Sequence, residues 1–300
     1  MTVPSTVDAP PHKPRRDAWH FAALGIISGF YVLMIVSLLA ADLVYMATSK
    51  PAESAQSTRD APDRPLLSRL VGHTIFAALA KPEIRYSIVL SIVSCTLTAI
   101  LSLWVAVPLG YVLARFRFPG RDLVDLILDI PIVLPPLVLG LSLLILFQFT
   151  PRAVREAVIY EVPAVVLSQF VVACAFAVRT MQSTFQLIDP RREQVALTLG
   201  CNRAYAFWKV VLPETRRGMV TAATLAWARA LGEFGPLLVF AGATRMRTEV
   251  LSTTVFLELS IGNLPAAVAV SIIMIVTAAA VLAIMRLAGR PKWSVSEITR

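Results

Sequence analysis

Six stretches of this chain hold about twenty or more consecutive, mostly apolar residues, and that feature decides what the chain can fold into. They cover 21–47, 86–114, 123–149, 158–178, 219–242 and 264–287. A helix rising ~1.5 Å per residue needs ~20 residues to cross the ~30 Å hydrocarbon layer of a bilayer. Inside lipid every backbone polar group needs an internal partner, so such runs become helices. The expected fold is an all-α membrane protein with six transmembrane helices. Composition agrees: 57% of residues are hydrophobic and 16% charged, and mean hydropathy is +0.71. A soluble domain of this length has no interior large enough for that much apolar surface.

Between the runs the chain divides simply. Residues 1–20, with many prolines and Lys13, Arg15 and Arg16, read as a disordered cytoplasmic tail. The run 21–47 is too long for the apolar part of a signal peptide and is expected to stay as the first transmembrane helix. Residues 48–85, with Pro51, Pro62, Pro65 and Pro82, read as an extracytoplasmic linker. A core follows over 86–288, and 289–300 form a second cytoplasmic tail. Arginine and lysine choose the sides. Lys13/Arg15/Arg16, Arg115/Arg117/Arg121, the stretch Arg191 to Arg217, and Arg286/Arg290/Lys292 all fall on one face of a six-span layout. Cytoplasmic loops collect such residues, so both termini are expected in the cytoplasm. The net charge of +9 follows from these loops and does not suggest a nucleic-acid partner.

Several chemistries are not expected. Cys95 and Cys174 lie in apolar runs and Cys201 in a polar segment, so the three cysteines form no disulfide framework. His12, His20 and His73 do not cluster, and no metal site is expected. No glycine is followed by lysine, so the phosphate-binding G-x-x-x-x-G-K-[ST] pattern cannot occur. No catalytic site and no bound cofactor are expected in this chain.

The polar segment 189–213 separates the fourth and fifth runs. Asp189-Pro190 reads as a helix start, with Asp as N-cap and Pro in the first turn. Gly200 permits a sharp reversal, and Pro213 is expected to end the second piece before the next span. Glu193-Gln-Val-Ala-Leu-Thr-Leu-Gly200, nine residues, then Val210-Val-Leu-Pro213 resembles the cytoplasmic coupling motif of ABC importer permeases, E-A-A, three residues, G, nine residues, I-x-L-P. The resemblance implies that Glu193, Gln194, Ala196, Gly200, Leu212 and Pro213 meet a separate ATPase. One departure is clear: Gln194, Val195 and Ala196 occupy the E-A-A places, and the glutamate sits one residue earlier.

Ionisable residues inside a span are costly and usually face a protein interior or a water-lined path. Arg229 and Glu233 stand four apart in Ala228-Arg-Ala-Leu-Gly-Glu-Phe-Gly235, a spacing that allows them to pair, either as part of a translocation path or as a structural ion pair. Pro131, Pro135 and Pro136 sit near the start of the third span, where they free backbone carbonyls and bend the helix, which suits a gate or a static kink. The outward loops carry Arg152, Arg155, Arg245 and Arg247; the last two are candidates for docking a binding protein. Residues 251–264 read as a segment that dips into the membrane.

The A-R-A-L-G-E-F-G stretch, with Phe116-Arg-Phe-Pro-Gly-Arg121 and Asp129-Ile-Pro-Ile-Val-Leu-Pro-Pro-Leu-Val-Leu-Gly140, resembles permeases for tetrahedral oxyanions. That likeness covers about 76–287. It implies a type I ABC importer permease in the cell inner membrane, acting as a homodimer with ABC ATPase subunits and an extracytoplasmic substrate-binding protein. ATP and Mg would then sit on the ATPase. The implied substrate is molybdate or tungstate, with sulfate or thiosulfate as the alternative. A different class, an ion-coupled secondary transporter using Asp129 or Glu233, predicts transport without an ATPase. A membrane scaffold would leave the proline-broken run without a use.

Overall fold

The computed structural model describes residues 79–288 and seven helical positions between Phe30 and Val44. These belong to two compact units, 1–71 and 72–300. In the first unit the described positions, among them Phe30, Leu33, Val36 and Val44, are helical with exposed side chains. The expectations for the tail 1–20, for most of the linker and for the tail 289–300 lie outside the described residues.

The second unit is helical, with no strand among the described residues. Helix α1 spans Pro82–Arg115 and α2 Arg121–Val133. Next come α3 (Pro136–Gln148), α4 (Arg152–Val158) and α5 (Val162–Leu187). The polar segment forms α6 (Pro190–Thr198), α7 (Arg203–Ala206), a π-helical turn Phe207–Val211 and the short α8 (Leu212–Glu214). Then follow α9 (Arg216–Leu231), a second π-helical turn Leu237–Ala241, α10 (Leu251–Ser260) and α11 (Leu264–Ala288).

Three helices, α1, α5 and α11, are each long and apolar enough to cross a membrane. Two of the expected spans are not single helices. The third run is α2 and α3, bent by 114° at Leu134-Pro135. Pro136 cannot donate a backbone hydrogen bond, and a proline forces the residue before it out of the helical region. Leu134 (ψ 143°) and Pro135 (ψ 132°) are both extended for that reason. The fifth run keeps regular winding only to Leu231, breaks at Gly232–Phe234, and re-forms from Gly235 into the π turn Leu237–Ala241. In contrast, Pro82, placed by sequence in the linker, opens α1, because the first helical position needs no N–H donor.

Helix α1 explains the packing. Ser87, Ser91, Ser94, Thr98, Ser102, Ala106 and Gly110 recur every three or four residues and are all buried. Small residues let helix backbones approach closely where hydrocarbon offers no hydrophobic drive. A methyl group on Gly110 would lie 2.9 Å from both Met181 Cβ and Gln182 N of α5. Most of these hydroxyls find partners: Ser91 donates to the Ser87 carbonyl at 2.7 Å and Thr98 reaches Gln169 of α5 at 3.2 Å, while the buried Ser102 Oγ has no hydrogen-bond partner among the described residues. The opposite face of α1 exposes Val89, Val93, Leu97, Ile100 and Trp104. Large apolar groups outward and small polar groups inward is the pattern a lipid solvent selects.

Candidate functional site

The two interrupted runs meet. A methyl group added at Gly235 would stand 2.7 Å from Pro136 Cβ and 2.9 Å from Leu137 N, and one at Gly140 would stand 2.8 Å from Pro236 Cα. The break between α2 and α3 therefore lies directly against the break after α9. Between them opens a cavity of about 270 Å³, lined by Pro135, Pro136, Leu137, Arg229, Gly232, Glu233, Phe234 and Gly235. Arg229 and Glu233 pair there, Nη1 to Oε2 at 2.7 Å, with Glu233 1% exposed and Arg229 29%. The contact is close, but the N–H does not point along a hydrogen bond, and Glu233 Oε2 has no aligned donor. The Arg229 guanidinium also lies 5.8 Å from the centre of the Phe176 ring. Glu233 sits two residues beyond the end of α9, and its carbonyl accepts from Ser252 Oγ at 2.7 Å, tying the break to α10. Pro131 lies apart from this cavity, in the last turn of α2.

The polar segment is built as a short helix and a reversal. Asp189 accepts from Arg191 N at 2.9 Å, with Pro190 opening α6. Gly200 has φ +88°, where an L side chain is strained, and no atom lies within 4 Å of the place a Cβ would take. The reversal has a second device that sequence reasoning missed: Asn202 caps α7 by accepting from Tyr205 N at 2.7 Å. Pro213 does not end this piece cleanly. The π turn before it widens the winding, Leu212 N donates to Phe207 O, and the chain runs on through α8 to α9. That looser turn accommodates the N–H that Pro213 lacks.

Within the segment the residues divide into an inner and an outer set. Gln194, Val195, Leu199, Tyr205 and Trp208 are exposed. Ala196 is buried, and Leu212 and Pro213 are half-buried. Glu193 turns toward its own bundle: Tyr111 Oη donates to Glu193 Oε1 at 2.6 Å, and Arg115 Nε lies 4.0 Å from Oε2. Tyr111 also packs at 4.7 Å from Phe207 and 5.5 Å from Phe185, ring centre to ring centre. An aromatic cluster thus ties the polar segment to α1 and α5. Arg115 further donates to the Ile188 carbonyl at 2.9 Å, and Arg192 pairs with Glu214 of α8.

A third cluster was not foreseen. Arg179 of α5 donates to Asp129 Oδ1 at 2.9 Å, Asp125 Oδ1 at 2.6 Å, Gln182 Oε1 at 2.8 Å and the Asp125 carbonyl at 2.7 Å. It anchors α2 to α5 one turn before the proline break. The signal was present: an arginine directly after the apolar run 158–178, and two aspartates four residues apart in another run. Asp129 is consequently engaged, which removes it as a free ion site.

In the loops that the sequence places outside, Arg245 pairs with Glu83 and Glu258, each at 3.0 Å, and Arg247 pairs with Glu161. Arg152 pairs with Glu156, and Arg155 donates to Gln148 at 3.2 Å. All four arginines have partners within the chain. Nearby Glu249 is 1% exposed, and burial pushes its carboxyl above the ordinary range despite the Thr254 hydroxyl and Arg245. Residues 251–260 form α10, too short to cross a membrane by itself.

Apolar helices packed through small residues, two helix breaks flanking a charged pair, and a capped polar segment between spans describe a helical membrane protein with an interrupted interior. The chain belongs to the family described as binding-protein-dependent transport system inner membrane component, whose sequence profile matches residues 106–291. Similar proteins include the sulfate transport system permease protein CysT of Escherichia coli K12, 32% identical over 66% of this chain and 73% of that one. The CysT of Salmonella typhimurium is 35% identical over 56% of this chain, which spans only 62% of that relative's length. The molybdenum transport system permease protein ModB of Mycobacterium tuberculosis is 34% identical over 69% of this chain and 80% of its own length. A crystal structure of a bacterial ABC transporter that imports the acidic polysaccharide alginate shares the fold, with TM-score 0.69, 14% identity, and 93% of this chain and 98% of that chain covered.

Proposed function

We propose that this chain is the permease of an ATP-driven importer for a tetrahedral oxyanion, molybdate or tungstate, acting as a homodimer. ABC ATPase subunits carrying ATP and Mg would bind on the cytoplasmic side, and a substrate-binding protein would dock outside. The observation that carries the reading is the 189–213 segment. It is a self-capped helix and turn that presents Gln194, Val195, Leu199, Tyr205 and Trp208 while its other side is bolted to the bundle through Tyr111, Phe185 and Phe207. An exposed apolar face rimmed by polar groups is what a protein partner covers.

In this reading the ATPase shifts a two-state equilibrium by contacting the segment differently in its two forms. A displacement of α6 and the Phe207 turn moves α1 and α5 through the aromatic cluster. Arg179 carries the motion of α5 into α2, and the proline break lets α2 and α3 change their angle. The cavity beside Arg229 lies at that hinge and forms part of the path. Broken helices near a cavity are a recurrent way to place a transport site in a membrane. Both termini lie in the cytoplasm, as the arginine distribution favours.

A second reading, sulfate as substrate, is favoured by the CysT relatives to the same degree as molybdate is by ModB. The test is ATP hydrolysis by this chain reconstituted in lipid with its ATPase and binding protein. Stimulation by molybdate and not by sulfate is the expected result. The reverse preference moves the substrate to sulfate, and no stimulation by either anion defeats the importer reading.

A further inference from the structure

Arg179 and Arg229 are both intramembrane arginines, but they are held in opposite ways. The Arg179 guanidinium makes four aligned hydrogen bonds, from Nε, Nη1 and Nη2. Arg229 faces the cavity with a single ion pair, to a carboxylate oxygen that is buried yet lacks an aligned donor. Of the eight residues lining the cavity, Arg229 and Glu233 are the two that ionise. A structural pair gains from many aligned hydrogen bonds, as at Arg179. A pair held by one close ionic contact and a ring face, beside open space, is poised to exchange.

We propose that Glu233 is a resident stand-in for the transported anion: its carboxylate occupies Arg229 while the cavity is empty, and the oxyanion displaces it during passage. The inference rests on the oxyanion-importer reading. A carboxylate and a tetrahedral oxyanion offer a guanidinium the same acceptor geometry. The cavity of about 270 Å³ has room for one small anion with a few waters at ~30 Å³ each. Glu233 lies outside regular helix, between Gly232 and Gly235, so its side chain can retreat without unwinding α9. Displaced but still nearby, its charge repels the anion it has yielded to. That repulsion keeps binding weak, which a path needs if the anion is to leave. When no anion is present, the pair neutralises the arginine and leaves no bare charge in the membrane.

The test is titration of the permease–ATPase complex in nanodiscs, without binding protein, using sodium tungstate and sodium sulfate and following heat of binding. ATP-driven uptake is measured on the same variants in proteoliposomes. Glu233→Gln removes the competitor and is expected to bind the transported anion at least about tenfold tighter, the effect of ~1.4 kcal/mol of relieved competition, with slower uptake because release is slower. Glu233→Asp, which shortens the reach but keeps the charge, is expected to fall between. Arg229→Gln should bind neither anion. The exchanged pair, Arg229→Glu with Glu233→Arg, should melt like the parent yet fail to transport. If neither Glu233 variant binds tighter, or if the exchanged pair restores uptake, the pair is structural and the inference fails. Wild-type complex that takes up neither anion would instead defeat the importer reading.

Discussion

Substituting Gly235 by alanine tests the contact between the two helix breaks, on which the site depends. The added Cβ would lie 2.7 Å from Pro136 Cβ and 2.9 Å from both Leu137 N and Pro136 C. Carbon atoms rest about 3.5–4.0 Å apart, so the breaks must separate by roughly 0.8–1.3 Å. The obstructing atoms are backbone and proline ring, and no side-chain rotation relieves them. Overpacking of this kind costs about 1–3 kcal/mol. At about 2–4 °C per kcal/mol for a chain of this size, the melting temperature should fall by roughly 2–12 °C. Gly232→Ala, three residues earlier, supplies the contrast, because its nearest atoms would be 3.7 and 3.9 Å away, ordinary contact. The assay is thermal unfolding of the purified protein in detergent, followed by fluorescence, with anion uptake in proteoliposomes alongside. Gly235→Ala should melt earlier and transport more slowly, and Gly232→Ala should melt within about 2 °C of the parent. Equal melting of both variants and the parent would mean that the breaks do not touch as described.

Other substitutions probe the remaining connections. Tyr111→Phe deletes the 2.6 Å hydrogen bond to Glu193, about 1.5–3 kcal/mol for a charged acceptor, and should lower uptake per ATP hydrolysed; an unchanged ratio would show the bond to be incidental to coupling. Gly200→Val puts a β-branched residue at φ +88° and should uncouple hydrolysis from transport, measured as ATPase activity without uptake; normal uptake would refute the turn's role. Arg179→Gln leaves Asp125 and Asp129 without their main partner and should reduce stability by about 2–3 kcal/mol, less than a fully buried pair because the site is part-exposed; wild-type melting would contradict the anchoring of α2. Burial raises the Glu249 carboxyl in the folded state, so folding takes up a proton there. Its contribution is present at low pH and is lost as pH rises from the ordinary carboxylate value through the raised one. Glu249→Gln should flatten that part of the stability–pH curve, read from melting temperatures across the acidic range; an unchanged slope would place the titration elsewhere.

Much of this protein follows from linear pattern alone. Apolar run length dictates helices in a membrane, because lipid offers backbone groups no partner. The Asp189-Pro190 start and the Gly200 turn are local backbone preferences, complete within a few residues, and both are visible in the sequence. The four-residue spacing of Arg229 and Glu233 suggested their pairing, although Glu233 lies just beyond the end of α9. What sequence did not decide is where each charged group spends its interactions, since that depends on residues far away in the chain. Glu193 looks outward by motif but is taken by Tyr111, 82 residues earlier. Arg245 and Arg247, expected to be available to a partner, are paired with Glu83, Glu258 and Glu161. Asp129 belongs to Arg179, fifty residues on. The cavity itself is a tertiary object: two proline- and glycine-broken runs, each legible alone, enclose it only because Gly235 and Gly140 let the breaks come together. A break in one helix is a local steric fact, and its meeting with another is settled by packing.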